Sequence, residues 1–237
     1  MDFPTTLIPG VLEQRYKRFL ADVRLEDGSI TTVHCPNPGA MMGLNTPGFR
    51  CWISDSGNPK RKLRHTLELI EAVGPSGPVM VGINTGTPNK LAEEAILSGV
   101  VPQLAGYETL RREVKYGENS RIDILLQNEG KPPCYVEVKN VHLVRKGRLH
   151  EFPDCKTTRG AKHLRELAAQ VGLGNRAVML YIIQREDGDT FSLARDLDPD
   201  YAKAFEEARD GGVEAYAIRC QISTTSILAT TPIPIVV

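Results

Sequence analysis

The stretch "SRIDILLQNEGKPPCYVEVKN" (residues 120–140) sets two carboxylates and a lysine in a pattern that suits chemistry on a phosphate ester. Two runs of period two flank a polar loop of turn formers, so the segment predicts a β-hairpin. Folded symmetrically about Gly130, it brings Ile122 to Val138, Ile124 to Val136 and Leu126 to Cys134, giving one wholly apolar face. The other face sets Leu125 against Tyr135, Asp123 against Glu137 and Arg121 against Lys139. Directly opposed carboxylates have Cβ atoms about 4.5–5.5 Å apart and repel. A sheet tolerates this when a cation lies between them or one acid stays protonated. Asp123 and Glu137 are therefore candidate catalytic residues and oxygen ligands for a hard divalent cation such as Mg²⁺. Lys139, on the same face, suits steering or activating a water, or holding a phosphate. Metal-assisted phosphodiester hydrolysis needs this set of groups.

A second reading of the same residues is a solvated strand face, in which Arg121 and Lys139 neutralise the two acids in weak surface pairs. Other residues bear on the choice. The helical segment 88–98 offers Glu93 or Glu94 as a third carboxylate, although a solvated helix also carries such pairs. Gln184 follows an apolar strand and is either a polar site residue or that strand's exposed end.

Lys plus Arg and Asp plus Glu both number 29, so net charge gives no sign of a polyanionic partner, and local charge has to. Three basic clusters stand out. Arg15, Lys17 and Arg18 lie in "RYKRF", and Lys60, Arg61, Lys62 and Arg64 in "NPKRKLRH". The third runs from Lys139 through Arg145, Lys146, Arg148, Lys156, Arg159 and Lys162 to His163. Clustered Lys and Arg in a neutral chain point to phosphate neutralisation, and Tyr16, Phe19 and Trp52 offer stacking surfaces nearby.

The elements that position these groups change in texture near residue 83. Before it, five short strands alternate with turns: "FLADVRL", "SITTVHC" after an Asp27-Gly28 turn, "FRCWIS", "LRHTLELIEAV" and "VMVGIN". The fourth puts Leu63, His65, Leu67 and Leu69 on one face. That pattern predicts a small β-barrel of the OB type over 1–82. From 83 to 237 the order is helix, three strands, helix, strand, helix, strand, which predicts an α/β sandwich. Asn89 is expected to cap the first helix and Gly99 to stop it. "HCPNPGAMMG" reads as a structural turn on Pro36, Pro38 and Gly39, because His34 and Cys35 have no ligand partners at metal spacing. The five scattered cysteines form no CxxC pair, which suits a reducing compartment. With neither a signal-peptide pattern nor an apolar run of membrane length, a cytoplasmic location and no membrane partner are expected.

Motifs along nearly the whole chain carry a resemblance: "RYKRFLADV", "HCPNPGAM", "SGNPKRKLRHTLE", "VGINT", "GYETLRREVKYGENSRIDILL", "CYVEVKNV", "FPD", "RGAKHLREL" and "DPDYA". Together they resemble the bacterial and archaeal sugar fermentation stimulation protein family. That resemblance implies an N-terminal OB-like domain, a C-terminal domain of the PD-(D/E)xK nuclease type, and DNA binding. In the nuclease pattern Asp123 and Glu137-x-Lys139 come from the hairpin, and Glu94 becomes the metal-binding glutamate of the preceding helix. Gln184, Lys162 and His163 fall at secondary site positions, Mg²⁺ or Mn²⁺ is the expected cofactor, and DNA the expected partner, with a homodimer as a further arrangement. Two departures stand out: Pro38 occupies a position where threonine is expected, and Lys156 lies in a segment expected to be apolar. Two functions follow, beside a third reading as an RNA-processing enzyme. One is a metal-dependent DNA nuclease; the other is a non-catalytic DNA-binding regulator of sugar-utilisation genes that keeps the nuclease fold as a scaffold.

Overall fold

In the computed structural model, which describes residues 1–117 and 120–236, the N-terminal strands are β1 (Ile8–Tyr16), β2 (Leu20–Leu25), β3 (Ile30–His34), β4 (Arg50–Asp55), β5 (His65–Gly74) and β6 (Gly77–Gly82). Strands β1, β2 and β3 form an antiparallel meander, β3 meets β5 at His34–Thr66, and β4 pairs with both β5 and β1. This circuit is a closed five-stranded OB barrel, filled by Leu12, Val23, Val33, Ile53, Leu67 and Ile70. The expected count of five is right for the barrel, but its members differ. β1 was not anticipated, and "VMVGIN" supplies β6, which pairs on β5 outside the closed circuit.

The reason lies in the residues of β1. Pro9 and Gly10 open it, and a register shift between Leu12 and Gln14 breaks its alternation. Gly10 is required there, because a Cβ would lie 2.5 Å from Val23 Cγ1 and 3.0 Å from the Arg24 carbonyl. A second shift, between Trp52 and Ile53, separates Leu67 from Leu69. Leu67 enters the barrel, whereas Leu69 faces away with Trp52, so the single face expected for this strand is split between two cores.

The C-terminal part runs α1 (Pro88–Leu97), β7 (Thr109–Tyr116), β8 (Ser120–Asn128), β9 (Lys131–Val141), β10 (Leu143–Lys146), β11 (Leu149–Phe152), α2 (Thr158–Gly172), β12 (Arg176–Ile183), β13 (Thr190–Leu193), α3 (Pro199–Asp210), β14 (Glu214–Ile222) and β15 (Ile227–Ile233). Its main sheet has the order β15-β14-β12-β9-β8-β7, and β10, β11 and β13 form a small separate sheet. β12 is parallel to both β9 and β14, which explains its unbroken apolar run. On one face, Leu91, Ala92, Ala95 and Ile96 of α1 pack on Ile124, Leu126, Val136 and Val138. On the other, α2 and α3 cover Leu125, Val141, Met179 and Tyr181. Trp52 and Leu69 join the α1-side core, so barrel and sandwich share apolar contacts.

The three helices stand where the sequence places them. α1 begins on Thr87 rather than Asn89, with Pro88 at its first position, where the missing N–H costs nothing. The strands β10, β11, β13 and β15 were not anticipated. The first three have 4 residues each, too few for a periodic signal, and β15 carries Pro232 within its span. Among the described residues no helix is long and apolar enough to cross a membrane.

Candidate active site

The β8–β9 hairpin keeps the expected register at Ile124–Val136, Leu125–Tyr135 and Leu126–Cys134, and the ladder ends there. Asp123 therefore does not stand directly across from Glu137 in a continuing ladder. Its Oδ2 accepts the backbone N–H of Val138 at 2.8 Å, and its Oδ1 accepts Asn89 Nδ2 at 2.9 Å. Beyond this point the strand turns over. Ile124 packs on the α1 side, whereas Ile122 packs on the α2 side, so the expected Ile122–Val138 pair is not formed.

Strand β7 turns over in step. It pairs Arg112 with Ile124 and Val114 with Ile122, which leaves Glu113 facing Asp123 in the register. Glu113 takes a φ of 54°, an uncommon conformation for a residue with a Cβ. Asn89 Nδ2 lies 3.4 Å from its Oε1 and thus links Glu113 to Asp123. The expected helix cap is instead a bridge between two acids.

Glu137 reaches towards α2 and is only 2% exposed. Its Oε1 accepts Lys139 Nζ at 2.6 Å and bonds with His163 Nδ1. Its Oε2 is buried and has no hydrogen-bond partner among the described residues. Burial pushes Glu137 up, but the charge of Lys139 and the bond to His163 outweigh it, holding the acid below the usual range. Asp123 behaves in the opposite way. Burial and then the charge on Glu137 push it above the usual carboxylate range, despite the Val138 N–H, Asn89 and Lys139. The charge held on Glu137 thus makes a second charge on Asp123 harder to hold, and a cation between them would relieve that.

These groups line a cleft of about 730 Å³. Asn89, Glu113, Asp123, Glu137, Lys139 and His163 face it, and Arg121, Arg159 and Lys162 supply positive charge from its strand and helix walls. The structure thus brings together Asp123, Glu137, Lys139, Lys162, His163 and Arg159 among the residues singled out from sequence. Lys162 is exposed and 3.5 Å from Glu166, whereas His163 is buried.

Others lie elsewhere. Glu94 is 2.6 Å from the Met1 ammonium and 3.9 Å from Lys90, and Glu93 pairs with Arg112; neither faces the cleft. Gln184 is fully buried at the junction of barrel and sandwich. It donates to Asn140 Oδ1 and the Asn84 carbonyl, and its Oε1 lies 3.0 Å from Thr87 Oγ1 at the start of α1.

Of the barrel cations, Arg15 is committed to structure. It donates to the carbonyls of Arg18, Asn37 and Gly39, and Arg18 donates to that of Pro38. Arg64 grips Asp55, while Lys17, Lys60, Arg61 and Lys62 are exposed. The expected turn at 36–39 is therefore real and braced, and its Pro38 lines the cleft.

Sequence reasoning missed Glu113, the bridging role of Asn89, and the anchor formed by Asp154. Asp154 Oδ2 accepts the Met41 N–H at 2.9 Å and bonds with His142 Nε2 at 3.2 Å, tying the barrel turn to the sandwich. The "FPD" motif held the one available signal for it. For Glu113 there was none, because its strand carries charges on both faces.

Residues 86–226 match the model of the sugar fermentation stimulation protein RE domain, and residues 14–83 that of the SfsA N-terminal OB domain. A sugar fermentation stimulation protein homolog from Rhodospirillum centenum is 57% identical over 227 residues, covering 96% of each chain. The homolog from Brucella ovis is 56% identical over 235 residues, covering 99% of this chain and 97% of its own. Among solved structures, Pyrococcus furiosus SfsA in complex with Ca²⁺ superposes with a TM-score of 0.88 at 27% identity, covering 100% of this chain and 98% of that one. Motifs, both domain matches and near full-length identity agree: the chain belongs to the sugar fermentation stimulation protein family.

Proposed function

We propose that this protein is a metal-dependent nuclease that hydrolyses phosphodiester bonds of DNA. The observation that carries the reading is Glu137. A buried carboxylate with one oxygen held by Lys139 and His163 and the other without a partner among the described residues is poised for a cation. The donor set fits a hard divalent ion. Among the described residues no group of three or more His, Cys, Asp or Glu side chains forms a metal cage, and Mg²⁺ typically uses one or two carboxylates, waters and substrate phosphate. Asp123 and Glu137 would hold Mg²⁺ or Mn²⁺. The relative from Pyrococcus furiosus, solved with Ca²⁺, supports a divalent ion of that oxygen-seeking class.

Such an ion, when bound, supplies Lewis-acid charge at the phosphate. The side chains do the rest. Lys139 Nζ, half-buried at the cleft floor, orients the attacking water and donates to the charge that gathers on the phosphoryl oxygens. Arg121, Arg159 and Lys162 hold flanking phosphates. Water adds to phosphorus, one P–O ester bond breaks, and the departing alkoxide takes up a proton as the water gives one up.

The test is incubation of purified protein with plasmid and single-stranded DNA in Mg²⁺ or Mn²⁺, beside Glu137→Gln. Cleavage by the parent and none by the variant is the expected result. Equal cleavage by both would remove the assignment, and retarded DNA without cleavage under either ion would favour the non-catalytic regulator.

A further inference from the structure

Resting on that reading of the cleft, we propose that Arg159 and His163 form a positioning relay that decides which oxygen of Glu137 is presented to the cation. Arg159 Nε lies 3.1 Å from His163 Nε2. A guanidinium N–H only donates, so His163 Nε2 must accept and carries no proton. The ring's proton then sits on Nδ1, which donates to Glu137 Oε1. Lys139 Nζ donates to the same oxygen at 2.6 Å. Two donors converge on Oε1, and the buried Oε2 is left without a hydrogen-bond partner among the described residues.

The ring cannot easily choose otherwise. His163 is 6% exposed, and its neighbours Ala161 and Leu164 pack into the α2-side core. If the proton moved to Nε2, it would face the Arg159 donor, and the Nδ1 lone pair would face the Glu137 carboxylate. Both contacts would turn repulsive, and only the longer contact of Lys139 Nζ with Nδ1, at 3.4 Å, would gain an acceptor. Arg159 thus fixes the tautomer of His163, and the tautomer fixes the carboxylate. Removing such an orienting partner typically costs 10–100-fold in metal affinity. In this relay His163 acts through its bond to Glu137, so its role is to position that carboxylate.

Two readouts test this. The ¹⁵N chemical shifts of the His163 ring in metal-free protein report the tautomer, and the expected result is a protonated Nδ1. Calorimetric titration with Mg²⁺ then compares His163→Asn with His163→Gln. The Asn amide nitrogen can occupy the Nδ1 position, whereas the Gln amide nitrogen reaches only the Nε2 position. The Gln variant should bind Mg²⁺ about 10–100-fold more weakly than the parent, and the Asn variant should recover most of that loss. A protonated Nε2 in the parent, or equal Mg²⁺ affinity in the two variants, would overturn the relay. Because the tautomer is read without metal or DNA, it decides the relay whether or not the protein cleaves.

Discussion

The Asp123 carboxylate accepts the backbone N–H of Val138, and so does for β9 what a ladder carbonyl of β8 would otherwise do. One side chain thereby ends the hairpin ladder and stands at the cleft. Asn at this position keeps an acceptor oxygen, whereas Ala leaves the Val138 N–H without a partner. Asp123→Ala should therefore be less stable than Asp123→Asn by about 1–3 kcal/mol in urea unfolding. Equal stability would show that the N–H finds another partner.

The positions of the glutamates lead to a second expectation. Glu113 faces Asp123 across the β7–β8 register and lines the cleft, while Glu94 is bound to the Met1 ammonium. Glu113→Gln should weaken Mg²⁺ binding more than Glu94→Gln does in calorimetric titration. The opposite order would return Glu94 to the metal site that the family pattern implies for it.

The junction anchor has a pH signature. Burial pushes Asp154 up, but bonds to His142 and the Met41 N–H bring it from 3.8 down to about 2. A carboxyl whose folded value is depressed adds stability above its unfolded value and loses it as pH falls through the folded one. The contribution, about 2 kcal/mol, should be full above roughly pH 4 and fade towards pH 2. Asp154→Asn should lower stability at neutral pH by a similar amount and flatten the acid limb between those values. Thermal unfolding across that range measures both.

How much of this was legible in the sequence depended on periodicity. The carboxylates of β8 and β9 and the helices stood out because their patterns run for many residues. The turnover at Asp123 and Glu113 did not, because it breaks the alternation on which strand reading depends. For the same reason β1, with its bulge after Leu12, escaped notice. Glu137, Lys139 and His163 meet because β9 faces α2, a tertiary fact that the His163 spacing along its helix does not contain.

The walls of the cleft make a prediction about salt. Arg121 and Lys162 are exposed there, and each phosphate contact contributes about 0.9 to the slope of log affinity against log salt on duplex DNA. Arg121→Ala together with Lys162→Ala should shallow that slope by about 2 in fluorescence anisotropy. An unchanged slope would place the DNA outside the cleft.

The pairing of Asp123 and Glu137 around a cation is tested most directly by Mg²⁺ calorimetry on the parent protein, Asp123→Asn and Glu137→Gln. The expected result is saturable uptake by the parent that is lost in both variants while their thermal unfolding stays cooperative. Parent-like Mg²⁺ affinity in either variant would contradict a metal centre built on these two acids.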